Sequence, residues 1–220
     1  MEAAGRVKKD NIVSQLASAR GHNDQSANVE LAQALCKDQD HAGIACLVDV
    51  LQTGAKSQRT DAIKVLYEVG ACDPKLIVPH VDVFFDTLKS RENRMVWGSL
   101  MTLAKICKAQ PDAVAQRLDL VLAVADAGSV IAKDQAIEIL ATLKSVQDHA
   151  GVASRELFDR LRGAAINQLP KYAEITLASL LPGEREEFID ILGMRLGELM
   201  PEAKRRRLRK VKDKAESANR

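Results

Sequence analysis

Aromatic side chains are almost missing from this chain: one Trp, two Tyr and four Phe make up 3% of 220 residues. β-Sheets favour aromatic and β-branched residues. An apolar content of 46% carried mainly by Ala, Leu, Val and Ile therefore points to closely packed helices. Glycine and proline are few, 12 and 6, and with 28% charged residues this argues against wholesale disorder. The four cysteines, Cys36, Cys46, Cys72 and Cys107, include no C-x-x-C pair. Each stands among aliphatics or beside a helix end, where a thiol acts as a small hydrophobe, as expected in a reducing compartment. No apolar run approaches the roughly 20 residues that a bilayer span needs. The opening "MEAAGRVKKDN" also lacks the apolar core of a signal peptide. The expectation is a cytoplasmic protein, or a nuclear one in a eukaryotic source, with no membrane partner.

Patterns that carry chemistry are equally sparse. His22, His41, His80 and His149 are scattered, and no H-E-x-x-H or similar ligand cluster occurs, so neither metal nor cofactor is expected. Glycine-rich phosphate loops and the G-x-S-x-G elbow are absent. The string "DHAG" recurs at Asp40 and Asp148, 108 residues apart. At roughly 10 Å per helix layer the two histidines stand too far apart to share a metal ion, whereas an N-cap role for both aspartates fits. "EREE", Glu184–Glu187, follows Pro182-Gly183 at a helix start, where negative charge complements the helix dipole. The reading is of a protein that is not an enzyme.

What the sequence does contain is a period. Leu66, Leu103, Leu140 and Leu177 fall 37 residues apart. Ala62, Ser99, Ala136 and Ala173 stand four positions before them, and Val69, Ile106, Leu143 and Leu180 three positions after. Small-x3-large-x2-large is one face of a helix, with the small residue permitting close approach of a neighbour. A second set, Leu47, Phe84, Val121 and Phe158, keeps step along another helix. Two helices per 37-residue unit mark an α-solenoid. The pattern predicts helix pairs at about 41–53/57–70, 74–90/92–108, 111–127/130–146 and 150–166/169–181. Val7–Ala19 and Asn28–Lys37 read as an N-terminal capping pair and Gly183–Leu199 as a closing helix. Asp40 and Asp148 are expected as N-caps, with Pro74, Pro111 and Pro182 in first turns.

At Arg59-x2-Ala62-x3-Leu66, after "HAGIACLVDVLQTGAKSQ", and again over Pro79 to Ile106, the chain resembles the HEAT-repeat, armadillo-like family. The likeness covers most of residues 40–181. It implies an all-α fold: a right-handed solenoid of about four to five helix pairs, with capping helices and a basic C-terminal helix or tail. A single solenoid domain over 1–200 followed by a basic segment over 201–220 is the expected organisation. The resemblance also implies second helices that line a concave surface and grip partners, without a reaction. The family's usual Val-Arg before the small residue is weak here, being Gln58-Arg59, Met95-Val96 and Ala132-Lys133.

Two sets of binding residues follow. In "RMVWGSLMTLAK", Val96, Leu100, Leu103 and Cys107 form the expected core stripe. Arg94, Trp97, Met101 and Lys105 lie on its flank, a Trp–Met pair rimmed by cations that suits a protein or peptide partner. The second set is electrostatic. The net charge of +2 hides a body of −4 and a final twenty residues of +6. In that segment Lys204, Arg205, Arg206, Arg207, Arg209 and Lys210 are candidates for nucleic acid or another anionic partner. Neutralising about five phosphates would give a log–log salt slope near −4.5.

Overall fold

Residues 11–21 and 25–217 are described by a computed structural model, and every regular element among them is helical. The chain forms two compact units, Met1–Gln135 and Ala136–Arg220. The first holds α1 (Ser26–Lys37), α2 (His41–Thr53), α3 (Lys56–Cys72), α4 (Val81–Thr87), α5 (Asn93–Ala109), α6 (Pro111–Ala115) and α7 (Leu118–Ala127). The division falls inside α8 (Val130–Leu143). The second unit continues with α9 (Gln147–Gly163), α10 (Leu169–Ala178), α11 (Arg185–Leu196) and α12 (Glu202–Ser217). The expected helix over Val7–Ala19 lies partly outside the described residues; 11–15 are helical and turns follow.

The repeated stripe is buried as its spacing predicts. Ala62, Leu66 and Val69 of α3, Ser99, Leu103 and Ile106 of α5, and Ala136, Leu140 and Leu143 of α8 are all inaccessible. The fourth copy departs. Ala173 is buried, but Leu177 and Leu180 are half-exposed, because α10 ends at Ala178 before the stripe is complete. On α5, Val96 is half-exposed and Met95 takes the buried place expected for it.

Two expected first helices are broken. Over 74–90 the chain makes 3-10 turns at Pro74–Leu76 and Val78–His80 before α4 begins, since Pro79 has no N–H to offer a continuous helix. Over 111–127 it divides into α6 and α7. At that break the Arg117 guanidinium lies 3.9 Å from the Phe85 ring centre and pairs with Asp82. Asp40 caps α2, accepting from the Gly43 N–H at 2.9 Å. Asp148 is not the matching cap: α9 starts one residue earlier, so Asp148 falls inside its first turn, where its charge still suits the dipole. Pro182 likewise precedes α11 in a turn that Gly183 completes at φ +90°.

In the first unit α1 packs on α3 and α3 on α5, while α2 covers α3 and α4 covers α5. Helix α3 is thus enclosed by three neighbours, which leaves Thr60, Lys64 and Glu68 as its accessible stripe. Two glycines set how closely α3 and α5 approach. A Cβ on Gly98 would fall 2.6 Å from Ile63 Cγ1, and one on Gly70 would fall 2.5 Å from Ile77 Cδ1, between the 3-10 turns, and 3.2 Å from Lys105 Cβ on α5. At the N-terminal side, buried Asn28 and Asp61 tie the turn after residue 15 to the helices. Asn28 accepts from the Ala17 N–H at 3.0 Å and donates to Asp61 at 2.8 Å; Asp61 also accepts from the Ser18 N–H at 2.8 Å.

In the second unit α9 packs on α10 and α11, and α12 packs on both of these as well. Leu208, Val211 and Ala215 are the buried edge of α12, so the basic segment is a docked helix. Arg195 of α11 is buried and donates to the carbonyls of Leu161 at 2.8 Å, Arg162 at 2.6 Å and Ala164 at 2.6 Å, the open end of α9. Its charge also complements that end of the helix dipole. Lys144 is buried too, bonded to Glu184 Oε2 at 2.5 Å with its ammonium 5.0 Å from the Phe158 ring centre. No helix among the described residues is long and apolar enough to cross a membrane.

Candidate partner-binding face and basic helix

Because α3 and α5 repeat in register, their uncovered stripes run side by side. Thr60, Lys64 and Glu68 on α3 correspond to Trp97, Met101 and Lys105 on α5. Trp97 and Met101 are half-exposed, as are Arg94 and Lys105, so the four residues singled out in the sequence share one accessible flank of α5. The Trp97 ring lies 6.1 Å from the Tyr67 ring at 46°, a tilted aromatic pair across the two helices. Arg94 also lies against Trp97, its guanidinium carbon 5.3 Å from the ring centre, and it reaches Gln25 Oε1 at 3.4 Å. Lys64 pairs with Glu68 and stands 4.7 Å over the Tyr67 ring. Burial alone would pull the Lys64 ammonium down, but its contacts with Glu68 and Tyr67 outweigh that and hold it above its ordinary range.

Beyond Gln25 the face opens into a shallow cleft of about 500 Å³ lined by Ser18, Lys56, Ser57, Thr60 and Asp61 among others. Both Asp61 oxygens accept from N–H donors, which makes this carboxylate a clamp rather than a free base. His80 is brought near His41. Burial first, and then the His41 charge, keep its imidazole below the usual value. His22 lies outside the described residues, and among those described no cluster of three His, Cys, Asp or Glu is arranged to hold a metal ion.

The six cations expected to bind an anion divide into two groups. Lys204 donates to the Asn167 carbonyl at 3.2 Å, and Arg205 to the carbonyls of Leu196 at 2.7 Å and Glu198 at 3.1 Å. Arg207 grips Glu174 with two parallel bonds of 2.6 and 2.5 Å, which hold the Glu174 carboxyl below its usual range. These three anchor α12. Arg206, Arg209 and Lys210 are exposed and have no ion-pair or hydrogen-bond partner among the described residues. Lys214, four positions after Lys210, shares that state and escaped the sequence reading.

Lys144 and Arg195 also went unnoticed in the sequence. Both occupy apolar stripes, Lys144 four residues after Leu140 and Arg195 three after Leu192, and a lone cation at a core position was the available signal. No family model matches the chain, and no curated protein does. Among solved structures, the crystal structure of an engineered protein from the Northeast Structural Genomics Consortium is similar in fold. It shares 16% identity and a TM-score of 0.57 over 94% of this chain and 97% of that one.

Proposed function

We propose that the chain is a non-enzymatic, HEAT-like solenoid module that holds a protein or peptide segment along its second helices. Trp97 carries the reading. The ring keeps an accessible part of its surface while packed against Tyr67 and Arg94, and Met101 stands one turn further along the same flank. Rigid aromatics and arginine are the groups that concentrate binding energy at interfaces. With Arg94 and Lys105 at the rim, the fitting partner offers an apolar or aromatic anchor flanked by carboxylates. Captured from native lysate, the partner should bind a Trp97→Ala variant about thirtyfold more weakly than wild type, matching a hot-spot loss of about 2 kcal/mol. Equal retention of every captured protein by wild type and by a helical, folded Trp97→Ala variant refutes the reading.

A second reading rests on the four α12 cations that have no side-chain partner among the described residues, which suit a nucleic acid or another polyanion. Since Lys204, Arg205 and Arg207 are engaged in anchoring, about four phosphate contacts are available, and the log–log salt slope on duplex DNA should be near −3.6. Titration of a labelled duplex at several salt concentrations measures it. Charge removal at Arg206, Arg209 and Lys210 should flatten the slope to about −0.9. Undetectable binding by wild type at low salt removes this reading.

A further inference from the structure

The final turns of α1 and α3 bring two cysteines together. Cys36 is buried in the last turn of α1, and its Sγ lies 3.7 Å from the Val69 carbonyl oxygen of α3. Cys72, three residues after Val69 and thus on the same side of that helix, is exposed. Burial first, and then the neighbouring Cys72 thiol, push the Cys36 thiol up to about 12, so at neutral pH it stays protonated. The backbone on both sides is held. The Val69 carbonyl accepts from the Asp73 N–H at 2.8 Å, and Gln39 donates to the Cys36 carbonyl at 3.0 Å and to Asp73 at 3.5 Å. Of the other cysteines, Cys107 is buried on α5 and Cys46 is half-buried on α2.

We propose that Cys36 and Cys72 are a peroxide-sensitive pair, in which Cys72 is oxidised from solvent and buried Cys36 resolves it into an intramolecular disulfide. The Cys72 sulfur attacks hydrogen peroxide; an S–O bond forms, the O–O bond breaks, and one water leaves. The Cys36 sulfur then displaces the sulfenic hydroxyl, which departs as a second water with the Cys36 proton. Two thiols give up two electrons and one peroxide is reduced to two waters. The new bond joins α1 to α3 across 36 residues of sequence, which restricts the unfolded chain and stabilises the fold. Regulation of the first unit by oxidation would then act on α3, the helix that carries Lys64, Tyr67 and Glu68.

The test uses the full-length reduced protein, treated with hydrogen peroxide and read by intact mass and by peptide mapping without reductant. The expected result is a loss of about 2 Da, one linked peptide pair containing Cys36 and Cys72, and full reversal by dithiothreitol. The oxidised protein should melt several degrees higher. Cys36→Ala, a small apolar exchange, should abolish the mass loss and leave Cys72 with a gain of about 16 or 32 Da. The Cys72→Ser variant, altered at an exposed position, should leave Cys36 as a free thiol. A wild-type protein whose Cys72 gains oxygen without linkage, that links through Cys46 or Cys107, that crosslinks between chains, or that resists peroxide sufficient to oxidise a free cysteine peptide overturns the proposal.

Discussion

Glu184→Ala destabilises the protein by about 3–5 kcal/mol, because it strands the Lys144 ammonium in an apolar site. Lys144 is 2% exposed, and Glu184 is the ion-pair partner that compensates its charge. Urea titration at neutral pH measures the loss. Replacing both residues together, Lys144→Met with Glu184→Leu, should restore most of it, since removing a buried pair costs far less than breaking one. The pH dependence has a definite sign. Burial would raise the Glu184 carboxyl, but the hydrogen bonds from the Lys144 ammonium and the Leu181 N–H prevail and hold it below its ordinary value of 4.5. A depressed carboxyl contributes stability that is complete above that ordinary value and is lost as pH falls through the folded one. The gap between wild type and Glu184→Ala should therefore narrow on acidification below about 4.5. A gap that stays constant between neutral pH and pH of about 3 contradicts the assignment.

The second large effect separates two residues that occupy the same place in the 37-residue pattern. Leu103→Ala removes a fully buried side chain from α5 and should cost about 2–5 kcal/mol, the lost transfer energy plus the cavity left behind. Leu177→Ala removes a half-exposed one from α10 and should cost about 1 kcal/mol or less. Chemical denaturation of both variants decides. Equal losses would mean that the fourth copy is as well packed as the second.

This contrast shows how far a periodic pattern reaches. Period and helical class were readable because burial on a helix imposes a regular spacing, and nine buried positions from Ala62 to Leu143 obey it. The interruptions were harder to read. Pro79 declares its effect locally, yet the break before Leu118 coincides with contacts from Arg117 to Phe85 and Asp82, residues more than thirty positions away. The candidate face was legible for a similar reason: Arg94, Trp97, Met101 and Lys105 share one helix flank by spacing alone. Tyr67, which completes the aromatic pair, belongs to the preceding helix and had no local mark. In α12 composition announced a cluster of cations, but only their partners Asn167, Glu174, Leu196 and Glu198 distinguish anchors from free charges. The Cys36–Cys72 pair is invisible to any spacing rule that looks for neighbouring thiols.

Gly98 and Gly70 shape the candidate face by what they leave out. Each lets the backbone of one helix settle against a side chain of the next, and that nearness brings the Tyr67 and Trp97 rings within 6.1 Å. A methyl group at either glycine would wedge the rods apart and widen the gap between the two aromatic plates, without altering a single atom of the rim. If the proposed partner does dock there, the fit of its anchor would be gauged from behind the surface, by two positions that the partner itself would not touch.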